Sequence, residues 1–131
     1  MNKITDPIAR ILVGALFLLS GFFKLTHFGA TSQMIAGVGM PLASVATAVS
    51  ILIEIGGAAA IIIGWQTKLV AWVQFAYLIP VTFMLHNFWA SPAAMQQDQM
   101  VHFMKNLGIM GALLILAGHG PGASAIDAPR K

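Results

Sequence analysis

The chain has 131 residues, 58% of them hydrophobic and 8% charged, with a mean hydropathy of +0.83, against roughly 25% charged residues in soluble domains. That balance excludes a water-soluble domain and predicts an all-α integral membrane protein. Seven Lys/Arg against four Asp/Glu leave a net charge of +3, scattered rather than clustered with aromatics, which argues against nucleic-acid binding; with no cysteine there is no disulfide relay, intrinsic iron–sulfur cluster or thiolate metal site.

Four apolar segments follow in order, Ile8 to Leu25, Leu42 to Gly64, Leu69 to Phe88 and Phe103 to Ala117, each near the ~20 residues that cross ~30 Å of hydrocarbon, though the last is short unless its polar start is included. The first has a basic start and no clear A-x-A site after it, so it reads as a span rather than a cleaved leader. Backbone groups in lipid must be satisfied locally, so the segments are predicted to be helices packed as one four-helix bundle over residues 1–131. The stretches "THFGATSQMIAGVGMP", "GWQTK" and "NFWASPAAMQQDQMVH" read as loops, and the shortest makes the second and third helices an antiparallel hairpin. Lys3, Arg10, Lys68, Arg130 and Lys131 gather on one side and Lys24 and Lys105 on the other, which predicts cytoplasmic termini. Trp65, Trp72, Phe88 and Trp89 suit the interfacial belt.

Polar residues inside the spans carry the functional reading. On the first helix Arg10, Gly14, Phe17, Gly21 and Lys24 form one stripe, with Ser20 beside it. On the second, Thr47, Ser50 and Glu54 share a face, while Gly56, Ala60 and Gly64 form a small-residue stripe for close packing. On the third, Thr82 precedes His86 and Asn87, and Pro80 is expected to kink the helix. On the fourth, Lys105 and Asn106 stand near the start, with Gly108 and Ala112 small enough to admit a neighbour. Glu54 falls about 18 Å into its helix, near the midplane, with Lys24 and Lys105 about two turns shallower, a distance that a lysine stem or a bridging water spans in part. A hydrated pocket results, with Lys24, Glu54, His86, Asn87, Lys105 and Asn106 as ligand-binding or proton-exchange candidates and Ser20, Thr47, Ser50 and Thr82 as supporting polar groups. The structural alternatives are snorkelling lysines, His86, Asn87 and His102 as boundary residues facing water, and a Glu54–Lys pair that only fixes helix register.

The motifs "SGFFKL", "GMP", Glu54 with the following "GG", "HNFW", "KNLGIMGALL" and "GPGASAID", in that order, resemble the DoxX family of small four-span bacterial membrane proteins. The resemblance implies a bacterial inner-membrane location and a redox setting. The family takes its name from a subunit associated with a thiosulfate:quinone oxidoreductase, and relatives are linked to a membrane oxidoreductase complex and to quinone or catechol stress. The expected function is that of an accessory or quinone-binding subunit of a membrane oxidoreductase system, in contact with lipid and with further copies or partner subunits. The competing readings are a scaffold subunit without a ligand and a small-solute or proton-linked permeation unit. Histidine-ligated haem is disfavoured, because His86 and His102 flank a loop, and no metal site is expected.

Overall fold

The computed structural model describes residues 2–128; two basic residues behind the orientation reading, Arg130 and Lys131, lie outside them. Among the described residues the chain is helical, with no strand, and four helices are long and apolar enough to cross a membrane.

Helix α1 spans Thr5–Thr26, starting before Ile8 because Asn2 Oδ1 accepts the free N–H groups of Ile4 and Thr5 at 2.9 and 3.2 Å and Asp6 suits the positive end of the helix dipole. Its predicted stripe is buried at Arg10, Gly14, Phe17 and Gly21. At the far end Thr26 Oγ1 donates back to the Phe22 and Phe23 carbonyls, the local competition that bends helices, and His27 leaves helical geometry at φ −124° and ψ 42°. The next stretch, expected as a loop, is instead helix α2, Phe28–Gly37. Its sequence has no proline before Pro41, and it buries Thr31 and Ile35 while lying along the third helix, where Ser32 Oγ meets Thr47 Oγ1 at 2.9 Å.

Helix α3, Ala43–Ile63, is continuous but widens into a π-helical turn over Leu52–Gly56. Gly64 ends it at φ +75°, a left-handed position that suits glycine. Helix α4, Thr67–Pro80, passes into a second π turn, Val81–Leu85, so Pro80 changes the hydrogen-bond ladder rather than ending the span. A short 3₁₀ turn, Phe88–Ala90, then leads to helix α5, Ala93–His119. Its start lies well before the expected Phe103: the polar run "MQQDQMVH" is low in hydropathy, yet Met and Gln are good helix formers.

Helix α1 lies along α3, α2 along α3, and α4 between α3 and α5, whereas α1 and α5 touch only sparsely. Phe17, Ile61, Leu78 and Leu113 belong to the buried core between them. The small-residue stripe of α3 meets the expectation only in part: Ala60 is buried, and Gly64 lets the Ala125 backbone approach, its Cα 2.9 Å from where a Gly64 Cβ would stand. Gly56 is exposed, with only Leu52 Cδ1 at 3.9 Å from where its Cβ would stand. Close approach occurs at Gly14 and Gly21 of α1, where a Cβ at Gly21 would fall 2.6 Å from Ile55 Cγ1 and 3.0 Å from Glu54 Cβ. Between α1 and α3 the glycines that let the backbones meet stand on α1.

The segment after α5 folds back over the end of the bundle where α1 begins. Ile126 and Asp127 donate backbone N–H groups to the Ile63 and Gly64 carbonyls at 3.2 and 3.1 Å, and the Asp127 carboxylate accepts the Gln66 N–H. Arg10, only 2% exposed, donates Nη2 to the Ser124 carbonyl at 2.9 Å. Both described terminal segments therefore meet at one end of the bundle.

Candidate functional site

The π turn on α3 holds Glu54, 3% exposed, on the inward face. Its carboxylate accepts from Lys24 Nζ at 2.9 and 3.0 Å, and Oε1 also accepts the Tyr77 hydroxyl at 2.7 Å. Lys24 Nζ lies 2.8 Å from Ser20 Oγ, so all three ammonium protons have acceptors. The lysine pairs with Glu54 directly, without a bridging water, because its stem lies back along α1 where Gly21 brings that helix against α3. Tyr77 is the chain's single tyrosine and was missed in the sequence; its spacing of three from Gln74, another polar residue of the same span, was the available signal.

Gln74 braces this turn from α4. It is fully buried, and Nε2 donates to the Ile53 carbonyl at 3.3 Å. Gly57 leaves room for its amide, which a Cβ there would strike. Because Gln74 Oε1 has no partner and the Ile53 carbonyl also accepts the Gly57 N–H, Gln74→Leu removes an unmet acceptor together with one hydrogen bond; the expected net loss is below about 1 kcal/mol, read by thermal unfolding in detergent micelles.

Beside the ion pair lies a cavity of about 430 Å³, within the range of small-ligand sites. Its wall includes Ser20, Lys24, Glu54, His86, Lys105 and Asn106 among apolar side chains such as Phe17 and Leu78. Both π turns contribute to it, the first through Glu54 and the second through Val81 and Leu85, and such turns recur at functional sites. His86 Nδ1 donates to Gln99 Oε1 at 2.8 Å, and its ring stacks on His102 with centroids 5.1 Å apart. Asn106 Nδ2 donates to Thr82 Oγ1 at 3.1 Å, so Thr82 supports the wall from behind.

Three sequence candidates stand elsewhere. Asn87 does not line the cavity; its carbonyl accepts from Ala90 N–H and Ser91 Oγ in the turn toward α5. Thr47 is buried against α2, donating to the Ala43 carbonyl at 2.8 Å. Ser50 lines a separate, mainly apolar cavity of about 170 Å³ together with Tyr77 and Pro80. Lys105 is exposed and makes no ion pair among the described residues, so only one of the two lysines meets Glu54. Phe83, Phe88, Trp89 and Phe103 form an aromatic cluster where α4 turns into α5. No group of three His, Asp or Glu among the described residues is arranged to hold a metal.

A family model described as DoxX matches residues 6–87, a range that includes Lys24, Glu54, Tyr77 and His86 and stops short of Lys105. The chain is 33% identical over 120 residues to the inner membrane protein YphA of Escherichia coli, covering 92% of this chain and 86% of that protein. It is 35% identical over 130 residues to the inner membrane protein YqjF of the same organism, covering 97% and 95% respectively. A stretch of 82 residues, 61% of this chain, is 28% identical to 27% of the Surfeit locus protein 4 homolog of Schizosaccharomyces pombe. No solved structure matches.

Proposed function

Since the chain belongs to the DoxX family, we propose that it is a multi-pass protein of the bacterial inner membrane that binds a quinone or similar small redox substrate as an accessory subunit of an oxidoreductase system. The observation that carries this reading is a buried, hydrogen-bonded carboxylate, Glu54, on the wall of a cavity shared with Lys24, His86 and Lys105. Reducing a quinone takes two electrons and two protons. Glu54 and His86 are the groups placed to exchange protons, and the two lysines suit a carbonyl or anionic oxygen. Glu54 Oε2 has one partner, Lys24 Nζ, and keeps acceptor capacity for a ligand proton. Electrons come from a partner subunit in this scheme, because the chain has no cysteine for an iron–sulfur cluster. The end bearing Lys3, Arg10 and Lys68 is the cytoplasmic one, following the positive-inside rule.

The expected result is that purified protein retains quinone and that Glu54→Gln lowers both this retention and quinone reduction in membranes. Unchanged values for both would remove the reading. A scaffold role is favoured by one feature, the pairing of Glu54 with both Lys24 and Tyr77. Under that role the exchange Lys24→Glu with Glu54→Lys restores folding and assembly together.

A further inference from the structure

We propose that the gap between α1 and α5 is a lateral portal that admits a single-tailed lipid with a carboxylate or carbonyl head, its tail lying between the helices and its head at Lys105. The proposal rests on the preceding reading only in that the inner cavity takes an oxygen-bearing head; it names the ligand's class and its way in.

The two helices touch sparsely although each packs firmly elsewhere. Between them runs a groove of about 410 Å³ whose wall includes Leu12, Leu16, Lys105, Gly108, Ile109 and Ala112. Leu16, Lys105 and Ile109 also line the cavity that holds the Glu54 pair, so the groove and the polar chamber adjoin at one lysine. Leu12 and Leu16 are 63% and 52% exposed, and at this position in a span such exposure faces lipid. Nothing stands within 4 Å of where a Gly108 Cβ would be, which leaves the groove floor open on the α5 side. A volume toward the lower end of the ~300–1,000 Å³ typical of small-ligand sites suits one chain rather than two.

Charge selects the head. Lys105 is the one charged residue of this groove, and it has neither an ion pair nor a hydrogen bond among the described residues. An ammonium group beside hydrocarbon is costly without an oxygen acceptor. Lys24 is already committed to Ser20 and Glu54, whereas Lys105 has three protons to offer. A carboxylate or carbonyl arriving from the bilayer meets Lys105 first, with the Glu54 chamber behind it.

The test uses the full chain in proteoliposomes with a diazirine-bearing palmitic acid, and the labelled peptides are mapped by mass spectrometry. Labelling is expected to concentrate on α1 and α5, to saturate and to be displaced by unlabelled palmitate. Lys105→Gln should weaken apparent affinity by about tenfold or more, as loss of a charge-assisted hydrogen bond implies, and the corresponding fatty alcohol should label as weakly. Gly108→Leu fills the groove and should abolish saturable labelling, while Gly118→Leu, at another open site on α5, should leave it intact. Uniform, non-saturable labelling of all four spans, or equal labelling of wild type and Gly108→Leu, would overturn the portal. Saturable groove labelling in a protein whose Glu54→Gln variant leaves both quinone retention and quinone reduction unchanged keeps the portal and removes the redox reading; the opposite pair of results does the reverse.

Discussion

Lys24→Met is expected to destabilise the protein by about 3–5 kcal/mol, the usual effect of leaving one member of a buried ion pair without its partner. Glu54 is 3% exposed and would keep only the Tyr77 hydroxyl as a donor. Removing both charges with Lys24→Met and Glu54→Leu should recover most of that loss, because an apolar pair of similar volume needs no desolvation. The Tyr77 hydroxyl, without its carboxylate acceptor, then leaves a residual deficit of about 1 kcal/mol. Thermal unfolding in detergent micelles measures the three stabilities. A double variant no more stable than Lys24→Met would show that the two residues are not energetically coupled. The same double variant bears on function: folded protein that has lost quinone retention points to the pair as part of the ligand site, and folded protein that retains it points to a register-setting role.

Gly21→Ala should cost about 1–3 kcal/mol through overpacking, a large effect for one methyl group. The new Cβ would stand 2.6 Å from Ile55 Cγ1 and 3.2 Å from the Ile55 backbone nitrogen, and backbone cannot yield as a flexible side chain does. Helix α1 must move away from α3, which stretches the 2.9 Å contact between Lys24 and Glu54. Gly111→Ala is the matched control. Nothing lies within 4 Å of that position on α5, so the substitution should be neutral or stabilising by up to about 1 kcal/mol, the helix advantage of alanine over glycine. Equal losses for both variants in unfolding experiments would contradict the packing described for α1 and α3.

The spans were legible because hydropathy is a property of composition, and the lipid solvent leaves apolar segments little choice but helix. The helix ends were less legible. Phe28–Gly37 and the first turns of α5 are helical although their hydropathy is that of connecting segments; α2 lies along α3, a surface that its own residues do not announce. The stripe Arg10, Gly14, Phe17 and Gly21 could be read from spacing and is buried. Of the equally regular stripe at Gly56, Ala60 and Gly64, Gly56 is exposed and Gly64 packs against Arg10 and the Ala125 backbone, since periodicity identifies a face without naming its neighbour.

By itself, then, the sequence determined the solvent, the helical class and the set of polar groups that cannot rest comfortably in hydrocarbon. Tertiary structure decided their partners. It chose Lys24 over Lys105 for Glu54, brought in Tyr77, and set Asn87 and Thr47 apart from the cavity. The physical reason is one of range. Burial is imposed residue by residue along the chain, whereas a hydrogen bond near 2.9 Å depends on the depth, rotation and separation of two helices at once, and here those were set by Gly21 on α1 and by the π turn on α3.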